Sequence, residues 1–315
     1  MNDLKLIFFG TPKFAVDSLH EINLNYTVNC VVTSPDKKSG RGQKITQSEV
    51  KNYAEKNNIK ILQPDNLNDK EFINKIKEIN PDIIIVVAFR KLPAEIFSIP
   101  KYGTINLHAS LLPNYRGAAP INWCLINNEA KTGVTTFFIN EKIDQGDILL
   151  KEEVNISDKD NFGSLYTKLS SVGSKLLIKT IKGVLSKRLK ASKQDFDESL
   201  KIAPKLSKEN TRIDWNKSQK EIIGMIRGLS PKPGAWTILK NGDNEIRMKI
   251  LEANRSNAFH SKKVGKFLIN NGEIHINNGV DTINCTYIQL ENRKVMNAKE
   301  LINGLKIHEN SYVYW

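Results

Sequence analysis

The stretch Thr104-Ile105-Asn106-Leu107-His108-Ala109-Ser110-Leu111-Leu112-Pro113-Asn114-Tyr115-Arg116-Gly117-Ala118-Ala119-Pro120 holds the densest chemistry in the chain. It begins as a strand. Ile105 and Leu107 alternate with Asn106 and His108, so the apolar side chains face one way and the polar pair the other. The strand end therefore presents an amide and an imidazole side by side. Ser110 to Pro113 leaves the strand, and Arg116-Gly117-Ala118-Ala119 offers little bulk before Pro120, which suits the first turn of a helix.

On either side the pattern alternates strands with helices. Downstream, Thr132 to Phe138 reads as a strand, followed by Ile143-Asp144-Gln145-Gly146-Asp147, where a carboxylate precedes a glycine turn. Upstream, Ile83 to Ala88 is the most hydrophobic run and predicts a central strand, with Lys70 to Ile79 and Ser48 to Asn57 as helices. Lys5 to Phe9 and Val28 to Thr33 are further buried strands, and Gly10-Thr11-Pro12 turns the chain between the first strand and a helix. That turn lacks the full GxGxxG pattern, which excludes a dinucleotide-binding reading. Tyr166 to Val184 spaces its apolar residues as an amphipathic helix. The sum is an α/β, Rossmann-like, mostly parallel sheet with helices on both faces, spanning residues 1–186.

Residues 187–204 are charged, weakly periodic and end in Pro204, as a linker does. Beyond them, a helix around Ser218 to Gly228 precedes short strands with turns at Asn241-Gly242 and Asn271-Gly272. Residues 205–315 therefore read as a second domain, a small β-barrel. The length of 315 residues favours two domains on its own.

The net charge, 47 − 34 = +13, favours a polyanionic partner, although a generally basic solvated surface gives the same number. Residues 205–315 hold 18 basic and 11 acidic side chains, a balance of +7, just over half of that excess. Three widely separated cysteines, with no CxxC pair, fit neither a disulfide framework nor a zinc site and point to a reducing cytoplasm. No signal peptide and no apolar run of about 18 residues is visible, so a soluble protein without a membrane partner is expected.

Asn106-x-His108-x-Ser110-Leu111-Leu112-Pro113 with a later Asp144-x-Gly146 resembles the folate-dependent formyltransferases, over nearly the whole chain. The run Ser110 to Pro120, together with Leu206-Ser207-x-Glu209 and Ile213-Asp214-Trp215, is most similar to the tRNA-formylating members. The resemblance implies a formyltransferase fold with a C-terminal OB-like barrel that binds tRNA. It implies 10-formyltetrahydrofolate as co-substrate, methionyl initiator tRNA as acceptor, no metal, and a monomer. Asn106, His108 and Asp144 match the catalytic trio, and Ser110, Leu111, Leu112 and Pro113 match the folate-contacting segment. Val87 and Phe89 would line the pterin slot. Where many relatives carry Tyr-Gly, this chain has Phe89-Arg90. The basic loop of residues 34–44 corresponds to an arm that meets the RNA acceptor end, with Arg41 at the key position and Lys37, Lys38 and Lys44 around it.

Formyl transfer to an amine needs a base for the amine, a donor for the carbonyl oxygen as it gains charge, and a proton for the leaving nitrogen. An amide, an imidazole and a carboxylate supply these. Each also has an ordinary role: Asn106 as a strand-end backbone partner, His108 as one of five histidines, Asp144 as a turn former. Cys124 reads as a packed core thiol. Two rivals remain at this stage. One is a formyltransferase for a small amine, which leaves the basic C-terminal domain without use. The other is an RNA-binding protein with a degenerate enzyme fold, which leaves the trio without use.

Overall fold

The computed structural model describes residues 4–39, 44–197, 199–256, 263–305, 307–308 and 310–314. By packing, the chain forms two compact units. One comprises 1–117, 131–155 and 166–202; the other comprises 118–130, 156–165 and 203–315.

The first unit is built on a seven-stranded sheet. Its strands are β1 (Leu6–Gly10), β2 (Val28–Val32), β3 (Ile61–Leu62), β4 (Ile83–Val87), β5 (Thr104–His108), β6 (Lys131–Phe138) and β7 (Ile148–Asn155). They are ordered β7-β6-β5-β4-β1-β2-β3. The strands from β3 to β5 run parallel, while β6 is antiparallel to β5 and to β7. This is the Rossmann-like, mostly parallel sheet expected. The order reverses between β1 and β4, and open sheets of this kind bind ligands beyond the carboxyl ends of the strands at that place.

Side-chain alternation decides what each face meets. Ile7 and Phe9 of β1, Cys30 and Val32 of β2, and Ile84 and Val86 of β4 form one core with Phe72 and Ile76 of the Lys70–Ile79 helix. That helix starts on an Asp69 cap and ends at Asn80 in the left-handed conformation. On the other face lies the Phe162–Leu185 helix. It approaches so closely that a Cβ on Gly173 would stand 2.8 Å from Leu107 Cδ2, and Thr180 Oγ1 sits 2.8 Å from Thr136 Oγ1. Leu107 thus points into one core while Asn106 and His108 point to the opposite side.

The second unit centres on an antiparallel sheet in the order Phe267–Asn270, Glu273–Asn277, Thr282–Leu290, Asn244–Ser256, Ala235–Asn241, Tyr312–Tyr314. Asn271-Gly272 makes one hairpin turn as expected, both residues at positive φ; the earlier hairpin turns one residue later than expected, on Gly242-Asp243, because Asn241 still pairs with Asn244 and the positive φ falls on Gly242. The sheet curls until its two edges meet at the Lys266–Tyr312 bridge, where Val313 N–H donates to Gly265 O at 2.7 Å. The result is the OB-like barrel expected. Its core holds Trp215, Ile222, Ile226, Leu239, Met248 and Ile276. The Gln219–Leu229 helix begins with a capping box made by Ser218 and Glu221. It packs on the Pro120–Ile126 helix, where Asn122 Nδ2 donates to Gly228 O at 2.7 Å.

No helix among the described residues is long and apolar enough to cross a membrane. No disulfide joins the cysteines, and all three are buried. Burial pushes the Cys30 thiol up to about 12. At pH 8 only about one Cys30 in ten thousand would then be thiolate. Native protein should leave Cys30 unmodified by an aromatic disulfide reagent over minutes, and full reaction should appear only in denaturant. Rapid labelling of Cys30 in the native state would contradict this packing.

Candidate active site

Asn106, His108 and Asp144 all belong to the first unit. β5 lies between β4 and β6, with Asn106 opposite Val86 on one side and Phe137 on the other. The Asn106 side chain is half-buried and forms no hydrogen bond among the described residues. An amide left unengaged at the carboxyl end of a central strand is a donor available to a ligand.

His108 is 7% exposed. Its Nε2 stands 2.8 Å from the Tyr115 carbonyl oxygen and its Nδ1 3.8 Å from Asp144 Oδ2. A carbonyl only accepts, so Nε2 carries a proton. In neutral imidazole the Nδ1 lone pair then faces the carboxylate; in imidazolium an N–H does. The 3.8 Å gap exceeds a direct hydrogen bond, so the two groups interact by charge or through a bridging proton donor.

Asp144 sits at φ +53, in the left-handed region, and its side chain is 12% exposed. Three bonds anchor its loop. Gly117 N–H donates to Asp144 Oδ2 at 2.9 Å, and Gln194 Nε2 donates to the Asp144 and Gly146 carbonyls at 3.0 and 2.7 Å. Gly146 has no room for a side chain, because a Cβ there would lie 1.6 Å from Phe138 O. The glycine of Asp144-x-Gly146 is thus required by a close approach of backbone to backbone.

The Ser110 to Pro113 segment is pinned from below by Thr135. The Thr135 hydroxyl donates to Ser110 O at 2.7 Å and accepts from Leu112 N–H at 3.1 Å. Ser110 is fully buried and its Oγ donates to Asn114 O at 2.7 Å. Leu112 is buried with Phe137 and Ile148, whereas Leu111 and Pro113 are half-buried. Val87 is fully buried at the end of β4. Phe89 packs edge-on against Phe9 at 5.4 Å under the Arg90 guanidinium, 5.3 Å from the ring. Arg90 also donates to the Pro64 and Asp65 carbonyls at 2.7 and 2.8 Å. The Phe89-Arg90 departure therefore ties the loop after β4 to the loop after β3. Of the folate candidates, Leu111, Pro113 and Phe89 keep side-chain surface; Ser110, Leu112 and Val87 serve the packing beneath.

The basic loop is an antiparallel hairpin of Lys37–Ser39 and Lys44–Thr46. Lys37 is exposed. Arg41 lies outside the described residues, and Lys38 and Lys44 are described in their backbone alone.

Three site residues escaped the sequence reading. Tyr115 contributes through its carbonyl, which any residue type would offer. Gln194 falls in the stretch read as a linker, and no periodicity marks it. Thr135 carried a usable signal: in β6, Thr135 and Thr136 are both fully buried, and adjacent hydroxyls inside a buried strand require partners.

The second unit carries a cationic and aromatic face. Trp236 and Ile238 lie opposite Lys249 and Arg247, and Ile238 and Lys240 opposite Tyr314 and Tyr312. The Arg247 and Arg212 guanidinium carbons stand 4.2 and 5.1 Å from the Trp236 ring centre, and Lys208 Nζ 5.8 Å. A cavity of about 850 Å³ in the same unit is lined by Lys159, Lys220, Arg227, Arg255 and Glu252, among others. It contains none of the trio.

Comparison with known proteins agrees with this architecture. A family profile described as "Formyl transferase" matches residues 4–181, and one described as "Formyl transferase, C-terminal domain" matches residues 205–306. A methionyl-tRNA formyltransferase of Flavobacterium johnsoniae is 47% identical, covering 100% of both chains. One of Clostridium acetobutylicum is 46% identical, covering 96% of this chain and 97% of its own. An N-formyltransferase of Helicobacter canadensis, solved with folinic acid and dTDP-3-aminofucose, shares the fold. Its TM-score is 0.64 at 24% identity, over 90% of this chain and 99% of that one. On family profile and full-length identity together, the chain belongs to the methionyl-tRNA formyltransferases of the folate-dependent formyl transferase family.

Proposed function

We propose that this protein transfers a formyl group from 10-formyltetrahydrofolate to the amino group of methionyl initiator tRNA. The observation that carries the reading is the meeting of Asn106, His108 and Asp144 at the carboxyl end of β5, in a chain of this family. Residues 1–186 would carry the chemistry, 187–204 the connection and 205–315 the tRNA contact. The protein would work in the cytoplasm, as a monomer and without a metal.

The residues at the strand ends fit a flat folate ring. The half-buried Phe89, Leu111 and Pro113 offer apolar surface, and Asn106 offers an unengaged amide near the carboxyl end of β5. When bound, the folate supplies the formyl carbon that the amine attacks. One nitrogen–carbon bond forms as another breaks, so the proton lost by the amine equals the proton needed by the leaving nitrogen.

Asn106 donates its amide N–H to the formyl oxygen as charge develops there. His108 holds its Nε2 proton on the Tyr115 carbonyl, which favours a relay role shared with Asp144 over a fixed donor to that oxygen. The Nδ1 and carboxylate pair takes up the proton that the amine sheds and returns it to the departing nitrogen. Low exposure at both groups keeps bulk water from competing for that proton.

For the tRNA, the charge excess of residues 205–315 and the Trp236 face support backbone contact. Arginine and lysine neutralise phosphates there, and aromatic rings give the cations a fixed platform.

The primary test is transfer of labelled formyl from 10-formyltetrahydrofolate to methionyl initiator tRNA, with elongator tRNA and free methionine as controls. Formylation confined to the initiator is expected; transfer to free methionine alone would reject the reading. His108→Ala should bind tRNA as wild type does and lose about a hundredfold or more in kcat. Arg41→Ala should raise KM for charged tRNA and leave folate affinity unchanged, and a fall in folate affinity would place the hairpin in the cofactor pocket. Arg247→Ala should weaken tRNA binding and reduce the slope of log affinity against log salt by about one. An unchanged slope removes that face from the interface.

A further inference from the structure

Both residues whose oxygens face the His108 imidazole are tied through their main chains to one segment far along the chain, residues 192–197 and 199–201. Gln194 is 7% exposed and gives both N–H bonds of its amide to the Asp144 and Gly146 carbonyls, at 3.0 and 2.7 Å. Two residues earlier, Ser192 makes a two-way bridge with Ile148, at 2.7 and 2.8 Å, closing the far end of the same loop. At the other end of the segment, Lys201 O accepts from Tyr115 N–H at 2.6 Å, and Lys201 N–H donates to Asn114 Oδ1 at 3.0 Å. Between them, the Phe196 ring lies 4.6 Å from the Arg116 guanidinium carbon.

We propose that Gln194 is a positioning residue for the His108–Asp144 pair, and that residues 192–197 and 199–201 form a strap holding the main chain of both residues whose oxygens face the imidazole. The proposal deepens the formyl-transfer reading and rests on it for its kinetic arm.

Three observations carry the argument. First, Asp144 occupies the left-handed region at φ +53, which costs an L-residue free energy unless its surroundings impose it. Among the described residues, the Asp144 and Gly146 carbonyls find their hydrogen-bond donor in Gln194. Second, the amide orientation is unambiguous. Two carbonyl oxygens cannot face Oε1 without repulsion, so the NH2 end must point at the loop. Third, the opposite end of the amide is a buried acceptor without a partner among the described residues. A leucine or methionine would fill the same space without that penalty. The side chain is therefore accounted for by what its donors hold.

The consequence is geometric. Loss of the two N–H bonds frees the Asp144 main chain to leave its left-handed conformation, and the carboxylate then shifts relative to Nδ1. The Gly117 N–H contact to Oδ2 remains but cannot fix the direction of the carboxylate alone. Displacement of a reacting group by about 1 Å costs up to about a hundredfold in rate.

The experiment uses the full-length protein with Gln194→Met, Asp144→Asn and the double variant. Gln194→Met keeps an unbranched side chain of similar length and removes both donors. Its kcat should fall about ten- to a hundredfold, with KM for 10-formyltetrahydrofolate and for methionyl initiator tRNA within about twofold of wild type. In the Asp144→Asn background the same change should cost less than about threefold, because Gln194 acts through Asp144. A wild-type kcat in folded Gln194→Met, or an undiminished loss on top of Asp144→Asn, overturns the proposal.

Long-range proton–nitrogen NMR of the His108 ring supplies an arm independent of turnover. Gln194→Met should shift the Nδ1 resonance while Nε2 stays protonated, and an unmoved Nδ1 overturns the positioning role. If the wild type forms no formylmethionyl-tRNA, the functional reading falls and the NMR comparison still decides the role of Gln194. Should Gln194→Met fail to fold, Gln194→Asn takes its place. Its amide, one methylene shorter, is set back from the two carbonyls and should show the same Nδ1 shift at smaller amplitude; no shift counts against the proposal.

Discussion

The imidazole of His108, held between the Tyr115 carbonyl and the Asp144 carboxylate, is the constraint around which the first unit is arranged. A ring fixed on one side by a group that only accepts has its protonation pattern set by the fold. Everything that places those two oxygens therefore bears on the chemistry. Sheet pairing of β5 between β4 and β6 fixes the ring's Cα, Gly117 holds the carboxylate, Gln194 holds the main chain that carries it, and Lys201 holds the N–H of the residue that carries the carbonyl. Strands supply precision here, and long-range side-chain bonds supply direction to the loops between them.

How much of this was legible depends on the range of the interaction. The alternation through Ile105, Asn106, Leu107 and His108 declares a strand with one polar edge, and the structure places Leu107 under Gly173 and the polar pair on the other side. Helix bounds were equally plain where a local signal exists. Lys70–Ile79 falls between an Asp69 cap and Asn80, and the second unit's helix starts on Ser218 with Glu221 three positions on. The Asn271-Gly272 turn belongs to the same class, since turn chemistry is written in adjacent residues, whereas the earlier hairpin turns one residue beyond the Asn-Gly signal, on Gly242-Asp243.

What stayed hidden depends on partners distant in sequence. Gln194 lies in a stretch whose charge and lack of periodicity read as a connector, yet it is buried because two carbonyls about fifty residues earlier require its donors. The folate segment divides in the same way. Ser110 and Leu112 face Thr135 and Phe137 and maintain the shape, while Leu111 and Pro113 keep surface. A motif shared across a family mixes residues that touch a ligand with residues that hold those in place, and spacing alone does not sort them. Burial and hydrogen bonding do.

Backbone strain marks the same place independently. Ala88, Tyr115 and Asp144 have φ values of +48, +58 and +53. One follows β4, one follows β5 and one follows β6, so each bends a chain leaving the sheet near the trio. Asparagine accounts for most other non-glycine cases in the first unit and tolerates this region through its own side chain. Alanine has no such compensation and tyrosine adds bulk, so neither is there by local preference. Each such residue costs of order 1 kcal/mol or more and persists only where its surroundings over-determine it. At Tyr115 the N–H donates to the Lys201 carbonyl and at Asp144 the carbonyl accepts from Gln194, both in the strap. The strain at these two residues and the hydrogen bonds that hold it are thus parts of one arrangement, and that arrangement aims two oxygens at a single imidazole.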